Sequence, residues 1–207
     1  MVDTHVGTAT TNTTPGSVAK ITVPSAPQKE KSGSQWASRY PGSVSTSDLA
    51  QPFGGSVDKF IAALNAAGAS VSISATYRPP ERAYLMHYAW AIANDGESPT
   101  NVPAMAGVDI DWAHLNAQGV SDNAAAVSAA GDMVSRYALV HDAVLTSRHT
   151  EGRAIDMTIS SVAGKSVKDA PGNAHTVTSL ADLNSIGASY GVQKLVSDPP
   201  HWSDDGH

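Results

Sequence analysis

The segment from Ser147 to Asp156 constrains this chain of 207 residues more strongly than any other part of its sequence. It reads Ser-Arg-His-Thr-Glu-Gly-Arg-Ala-Ile-Asp and places His149 seven positions before Asp156, too far for close contact on one helix face. A turn at Gly152 would bring the two side chains together, because glycine tolerates tight backbone conformations. The pattern of residues 154–159 predicts a strand after that turn. The segment therefore indicates a loop, a turn and a strand on which an imidazole and a carboxylate converge.

An imidazole and a carboxylate that converge can bind a metal ion. The sequence contains no cysteine, so any metal must be held by His, Asp or Glu side chains. Both groups suit zinc, and a catalytic zinc site takes three protein ligands while one position stays open for water. His149 and Asp156 need a third ligand from elsewhere in the chain, and His201, which is followed by Trp202, is the best candidate. We expect one zinc ion per chain.

Hydrophobic periodicity predicts helices and short strands in mixed order along the rest of the chain. Helices are predicted at residues 56–68, 79–94, 121–137 and 179–191. Strands are predicted at residues 71–75, 108–112, 154–159 and 192–196. No βαβ repeat runs through this order, so we expect an α+β fold: a single domain with a small antiparallel sheet flanked by helices.

Residues 1–35 differ from the rest of the chain in composition. They are rich in Thr, Ser, Pro, Gly and Lys and have no sustained apolar period, which predicts a flexible leader before a domain of residues 36–207. A net charge of −6 argues against binding to nucleic acid, which requires a basic face. No apolar stretch approaches the roughly 18 residues of a membrane span. The first residues lack the basic and apolar stretches of a signal peptide.

The pattern Ser-x-His-x-x-Gly-x-Ala-x-Asp at residues 147–156, followed late in the chain by His201-Trp202, resembles the signature of a known family. This is the zinc D-Ala-D-Ala carboxypeptidase and L-alanyl-D-glutamate endopeptidase family, which includes cell-wall carboxypeptidases, vancomycin-resistance dipeptidases and many phage endolysins. The sequence Thr-Tyr-Arg-Pro-Pro-Glu at residues 76–81 is similar to the family's Tyr-Arg-Ser/Thr-x-x-Glu segment. The resemblance covers roughly residues 40–203 and implies the fold of the zinc D-Ala-D-Ala carboxypeptidases.

The resemblance also implies a role for each matching residue. His149, Asp156 and His201 would bind the zinc ion. Asp198, three residues before the last histidine, would be the general base, and Arg78 would hold a substrate carboxylate or the developing oxyanion. Two further residues are expected on the substrate-binding side of the site, one as a hydrogen-bonding group near the metal and one packed behind its last ligand: Ser147 and Trp202.

Several of these positions also allow simpler interpretations. Arg78 stands at a predicted helix start on the surface, and Asp198 precedes a proline, where aspartate often caps a turn. The segment from Asp109 to His114 also resembles a metal cluster, although carboxylates in such loops are more often solvated. Two features depart from the family pattern. Its base is more often Glu, and residues 96–135 form a longer stretch than a minimal member needs, which predicts a lid or a specificity insertion.

The resemblance implies that the chain hydrolyses an amide bond in bacterial peptidoglycan stem peptides, with an endopeptidase favoured. The alternatives are a D,D-carboxypeptidase or dipeptidase, or a non-catalytic zinc-containing module that binds the cell wall. We expect a monomer that acts on the cell wall or in the periplasm as a lysin or an effector. Without a signal peptide, it would be delivered by phage lysis or by a secretion machine.

Overall fold

The structure, a computed structural model, describes residues 29–207, and residues 1–28 of the predicted leader lie outside this range. The described chain contains helices and short strands in mixed order, which confirms the predicted α+β class. The helices are α1 (Phe53–Ala66), α2 (Pro80–Trp90), α3 (Asn123–Tyr137) and α4 (Asp182–Ser189). The strands are β1 (Glu30–Lys31), β2 (Ser70–Ala75), β3 (Ile110–Asp111), β4 (Ala154–Ser160), β5 (Ser166–Lys168), β6 (Ala174–Thr176), β7 (Gln193–Lys194) and β8 (His201–Ser203). Within residues 29–207, no helix combines the length and the hydrophobicity needed to cross a membrane.

A four-stranded antiparallel sheet in the order β2-β4-β8-β7 forms the centre of the fold. Its register pairs Asp156 of β4 with His201 of β8 on one side and with Ala75 of β2 on the other. Directly paired residues of neighbouring strands project to the same face of a sheet. The sheet therefore places Asp156 and His201 side by side, although they stand 45 positions apart in the sequence.

The opposite face of this sheet packs on the main hydrophobic core. Successive residues of a strand point to opposite faces, so in β4 the buried Ile155 and Met157 flank Asp156 and face the core. Trp202 of β8 also lies in this core, 5.4 Å from Phe60 of α1 between ring centroids. The alternation gives the sheet one polar face and one apolar face, and the apolar face anchors both strands.

A second core joins α2, α3 and part of the predicted insertion at residues 96–135. Trp112 is 4% exposed and Met133 is fully buried, and both belong to this cluster together with Tyr84 of α2. The indole Nε1 of Trp112 donates to the Tyr84 hydroxyl at 3.1 Å, and that hydroxyl donates to the carbonyl of Pro103 at 2.9 Å. This stretch therefore packs as a structural part of the domain.

The predicted helices occur in the structure but differ at their ends. α1 begins at Phe53, before the predicted start at residue 56. α3 begins after Asp122, whose carboxylate accepts a hydrogen bond from Ala125 N at 3.0 Å. The antiparallel hairpin β5–β6 carries no periodic signal in the sequence, because its two strands of three residues bury only Val167.

Residues 29–35 precede the predicted start of the domain at residue 36 and pair with it. β1 pairs in parallel with β3, and Glu30 N donates to Asp109 O at 3.0 Å. Ser32 is 4% exposed, and its hydroxyl lies 2.9 Å from Nε2 of the buried His114. A strand of two exposed residues leaves no hydrophobic pattern, which explains why composition alone assigned this segment to the leader.

A chain that begins at residue 36 should be less stable than one that begins at residue 29. The shorter chain leaves the His114 ring without the Ser32 partners, and a buried polar group without a partner costs about 1–3 kcal/mol of the free energy of unfolding. The melting temperature should fall by roughly 2–4 °C for each kcal/mol lost. Calorimetry on the two chains measures the difference, and equal melting temperatures would show that residues 29–35 do not stabilise the domain.

Candidate metal centre

All three predicted zinc ligands meet at one point on the polar face of the central sheet. Nε2 of His149 and Nδ1 of His201 each lie 3.2 Å from Oδ1 of Asp156. All three donor atoms lie within 4.8 Å of one another, and the two imidazole rings are 5.0 Å apart between centroids. The two histidines are buried, at 5% and 7% exposure, while Asp156 is partly exposed. The predicted ligand set is therefore gathered in space.

The turn before β4 brings His149 to Asp156. Gly152 has φ +67°, a conformation that side chains disfavour, and its N–H donates to His149 O at 3.2 Å. A Cβ atom at this position would lie 3.1 Å from the backbone nitrogen of Ala50, which itself donates to Gly152 O at 2.8 Å. Glycine is thus required at Gly152 both for the left-handed backbone and for close packing against residue 50.

Backbone carbonyls fix the tautomers of both histidines. Nδ1 of His149 lies 2.6 Å from the carbonyl oxygen of Thr76, and Nε2 of His201 lies 3.1 Å from that of His207. A carbonyl oxygen only accepts hydrogen bonds, so these two ring nitrogens carry the hydrogens. In the neutral rings, the lone pairs of the other two nitrogens then face the carboxylate of Asp156.

Three lone pairs that face one another repel unless a proton or a cation lies between them. A proton on one imidazole nitrogen bridges only that ring and the carboxylate, and it leaves the lone pair of the other ring without a partner. A divalent cation satisfies all three donors at once, and an outer hydrogen bond from each ring to a carbonyl is the usual arrangement of metal-binding histidines. Two imidazoles and one carboxylate are also a donor set that suits zinc. The donors of His149, Asp156 and His201 therefore fit the zinc ion that the sequence predicts.

The protonation of the cluster follows from its contacts. Burial raises the pKa of Asp156, but the hydrogen bonds and charges of His149 and His201 outweigh it and hold that pKa well below its usual range. The hydrogen bond to Asp156 raises the pKa of His201, and burial opposes this only in part. Asp156 therefore keeps its negative charge over the physiological range, which favours binding of a cation.

Arg78 lies beside the metal ligands. Its backbone N–H donates to His149 O at 3.0 Å. This bond ties the chain before α2 to the turn of residues 147–152, called the ligand turn below. Burial lowers the pKa of the half-buried guanidinium, and the charge of Asp156 opposes this. Within residues 29–207 the guanidinium makes no hydrogen bond or ion pair, so its donors can bind a ligand.

Asp198 lies in the loop between β7 and β8 and is exposed. Its backbone closes the turn into β8, because Asp198 O accepts from His201 N at 3.1 Å. Its carboxylate makes no hydrogen bond or ion pair with any described residue, so the side chain does not cap this turn. The negative charge of Asp198 is near enough to add, after the larger effect of Asp156, to the raised pKa of His201.

The two remaining predicted residues, Trp202 and Ser147, make contacts within the fold. Trp202 is 3% exposed in the main core, where it packs behind His201 as expected. The reason is strand alternation, since the neighbour of His201 must point to the other face. Ser147 forms the ligand turn: its carbonyl accepts from Thr150 Oγ1 at 2.8 Å, and its hydroxyl lies 3.4 Å from Thr150 N.

Lys194 of β7 is part of the site although no sequence pattern indicates it. Its ammonium donates to three carbonyl oxygens, those of Leu195 at 2.5 Å, His201 at 2.9 Å and Asp198. It also lies 5.6 Å from the centroid of the Trp202 ring. Lys194 thus closes the loop that carries Asp198 and His201. The contacts are made to backbone atoms, which place no constraint on the sequence of the loop.

The other histidine and carboxylate clusters have different partners. Asp111 accepts a hydrogen bond from Leu115 N at 2.7 Å, and His114 contacts Ser32, so the segment from Asp109 to His114 does not form a metal cluster in the described chain. His87 of α2 contacts Asp142 at 2.9 Å. These side chains hold loops in place.

No protein-family model matches the chain, and no curated protein matches it.

Proposed function

We propose that this protein is a zinc-dependent peptidase that hydrolyses an amide bond in bacterial peptidoglycan stem peptides, as an endopeptidase. The observation that carries the proposal is the convergence of His149, Asp156 and His201, whose lone pairs meet in a half-buried cluster. The cluster is flanked by one carboxylate and one guanidinium that have no partners among residues 29–207. The substrate class follows from the resemblance of residues 147–156 and 76–81 to the peptidoglycan peptidases.

The zinc ion, Asp198 and Arg78 would each have a separate role in the hydrolysis of the amide bond. Zinc, when bound, supplies a Lewis acid that polarises a carbonyl group and makes a water molecule more acidic. Asp198 would accept the proton of the attacking water and pass it to the leaving amine, the usual work of a general base. Its exposed carboxylate makes no hydrogen bond within residues 29–207, and it is therefore available for this transfer. Arg78 would bind a carboxylate of the stem peptide or the developing oxyanion, because its planar donors suit both.

Digestion of purified peptidoglycan tests the proposal. The zinc-loaded protein should release fragments with new amino termini inside the stem peptide, identified by mass spectrometry. A chelator should stop the reaction and added zinc should restore it. Release of only the terminal residue would indicate a carboxypeptidase, and release of a dipeptide a dipeptidase. Binding to peptidoglycan without any cleavage would contradict the proposed reaction and favour a non-catalytic cell-wall module.

Arg78→Lys tests the proposed contact with substrate. Lysine keeps the positive charge but lacks the planar pair of donors that binds a carboxylate in a bidentate manner. We expect a folded, zinc-loaded variant with markedly lower kcat/KM on peptidoglycan fragments. Arg82→Lys is a matched control, because its side chain donates to Ala37 O at 3.2 Å and so serves the fold. Equal kinetics for Arg78→Lys and the original protein would remove Arg78 from the substrate site.

A further inference from the structure

We propose that the segment from Asp204 to His207 is a positioning element of the metal centre, which sets the tautomer and the orientation of His201. The inference rests on the metal centre proposed above and assigns a role to residues outside the resemblance, which ends near residue 203. It follows from three sets of contacts: one to the metal ligand, one within the segment and one to the ligand turn.

The first contact is made by a backbone oxygen. Nε2 of His201 lies 3.1 Å from His207 O, so Nε2 carries the hydrogen and Nδ1 keeps the lone pair that faces Asp156 at 3.2 Å. With the other tautomer, His201 would present an N–H to the metal instead of a lone pair. Because the acceptor is a main-chain oxygen, the side chain of residue 207 is not needed for this contact.

Contacts within the segment direct that oxygen toward the ring. The hydroxyl oxygen of Ser203 accepts hydrogen bonds from Gly206 N at 2.8 Å and from His207 N at 3.0 Å. Gly206 has φ +83°, which turns the chain back toward β8. Ser203 is fully buried, so this turn is anchored within the fold.

Two arginines of the ligand segment hold the turn in place. Arg148 binds both carboxylate oxygens of Asp205, with its Nε 3.2 Å from Oδ1, and a bidentate pair of this kind fixes orientation. Arg153 forms an ion pair with Asp204, whose N–H donates to Arg153 O at 3.2 Å. The stretch of chain that supplies His149 and Asp156 therefore also holds the segment that orients the third ligand.

A chain that ends at Ser203 tests the inference through metal binding. Loss of an outer partner of a metal-binding histidine lowers metal affinity by roughly 10–100-fold. We expect that loss for zinc, measured by competition with a chelator, and a changed visible spectrum when cobalt(II) replaces zinc. Asp205→Asn weakens the same anchor without shortening the chain and should lower the affinity in the same direction, so it decides the matter if the shortened chain does not fold.

Two matched variants separate this role from general structural effects. Glu151→Gln removes the carboxylate partner of Arg148 that lies outside the 204–207 segment, at 2.7 Å from its Nη1. His207→Ala keeps the carbonyl and removes only the ring. Both should bind zinc as the original protein does. Unchanged affinity in the shortened chain and in Asp205→Asn would overturn the inference, and so would a loss in His207→Ala as large as in the shortened chain. If the original protein bound no zinc at all, the proposed metal centre itself would be wrong.

Discussion

Replacing His149 by alanine should remove most of the zinc from the protein. The original chain should bind about one zinc ion, and the variant keeps only two of the three donors. Its affinity for zinc should fall by more than the roughly 10–100-fold that follows loss of an outer partner alone. The domain should stay folded, because His149 belongs to neither hydrophobic core. Metal analysis after dialysis, together with the melting temperature of the metal-free forms, measures both effects.

His175→Ala is the matched control for this experiment. His175 also pairs with a carboxylate, Asp169, at 2.9 Å, but it lies on the exposed hairpin β5–β6 and belongs to no metal cluster among the described residues. This variant should keep its zinc. Full zinc occupancy in both variants would show that the metal is bound elsewhere, and loss in both would point to a non-specific effect of removing a histidine.

Asp198→Asn should lower turnover on peptidoglycan fragments by roughly 10²-fold or more, the usual scale for removal of a general base. Asparagine keeps the size of the side chain but cannot accept the proton at neutral pH. Zinc content and melting temperature should not change, because the Asp198 carboxylate makes no hydrogen bond or ion pair with residues 29–207. The turn contacts of Asp198 use its backbone and remain available to asparagine.

Asp58→Asn is a matched control for Asp198→Asn, because Asp58 is also an exposed aspartate and lies on α1. Its turnover should equal that of the original protein. Near-normal turnover in Asp198→Asn would remove Asp198 as the base while leaving the zinc site in place. A loss of zinc in that variant would instead indicate that the carboxylate supports the metal ligands.

The candidate metal cluster is predictable from the sequence, because the pair of His149 and Asp156 around a glycine turn leaves a pattern and the family resemblance adds His201. The turn between His149 and Asp156 needs glycine at position 152, and the strand that follows needs alternating burial, so both leave a pattern. The central sheet then pairs Asp156 with His201. The same alternation keeps Trp202 off the polar face. This could be predicted from the sequence once residues 201–203 are recognised as a strand.

Other parts of the site left no pattern, because they depend on backbone atoms or on distant contacts. Lys194 and the 204–207 segment act on carbonyl oxygens, which every residue carries. β1 has two exposed residues and no hydrophobic period, so its pairing with β3 became visible only in the fold. The strand and the helix predicted within residues 96–135 do have a hydrophobic period, but their packing against α2 depends on the tertiary structure.

An anomalous difference map at the zinc absorption edge, from crystals of the zinc-loaded protein, tests the central claim most directly. We predict one strong peak that marks a zinc ion bound by Nε2 of His149, Oδ1 of Asp156 and Nδ1 of His201, at roughly 2.0–2.2 Å from each atom. The outer contacts of the two rings to Thr76 O and His207 O should persist. A peak at any other group of side chains, or no peak in protein that has been saturated with zinc, would contradict the assignment of this cluster as the metal centre.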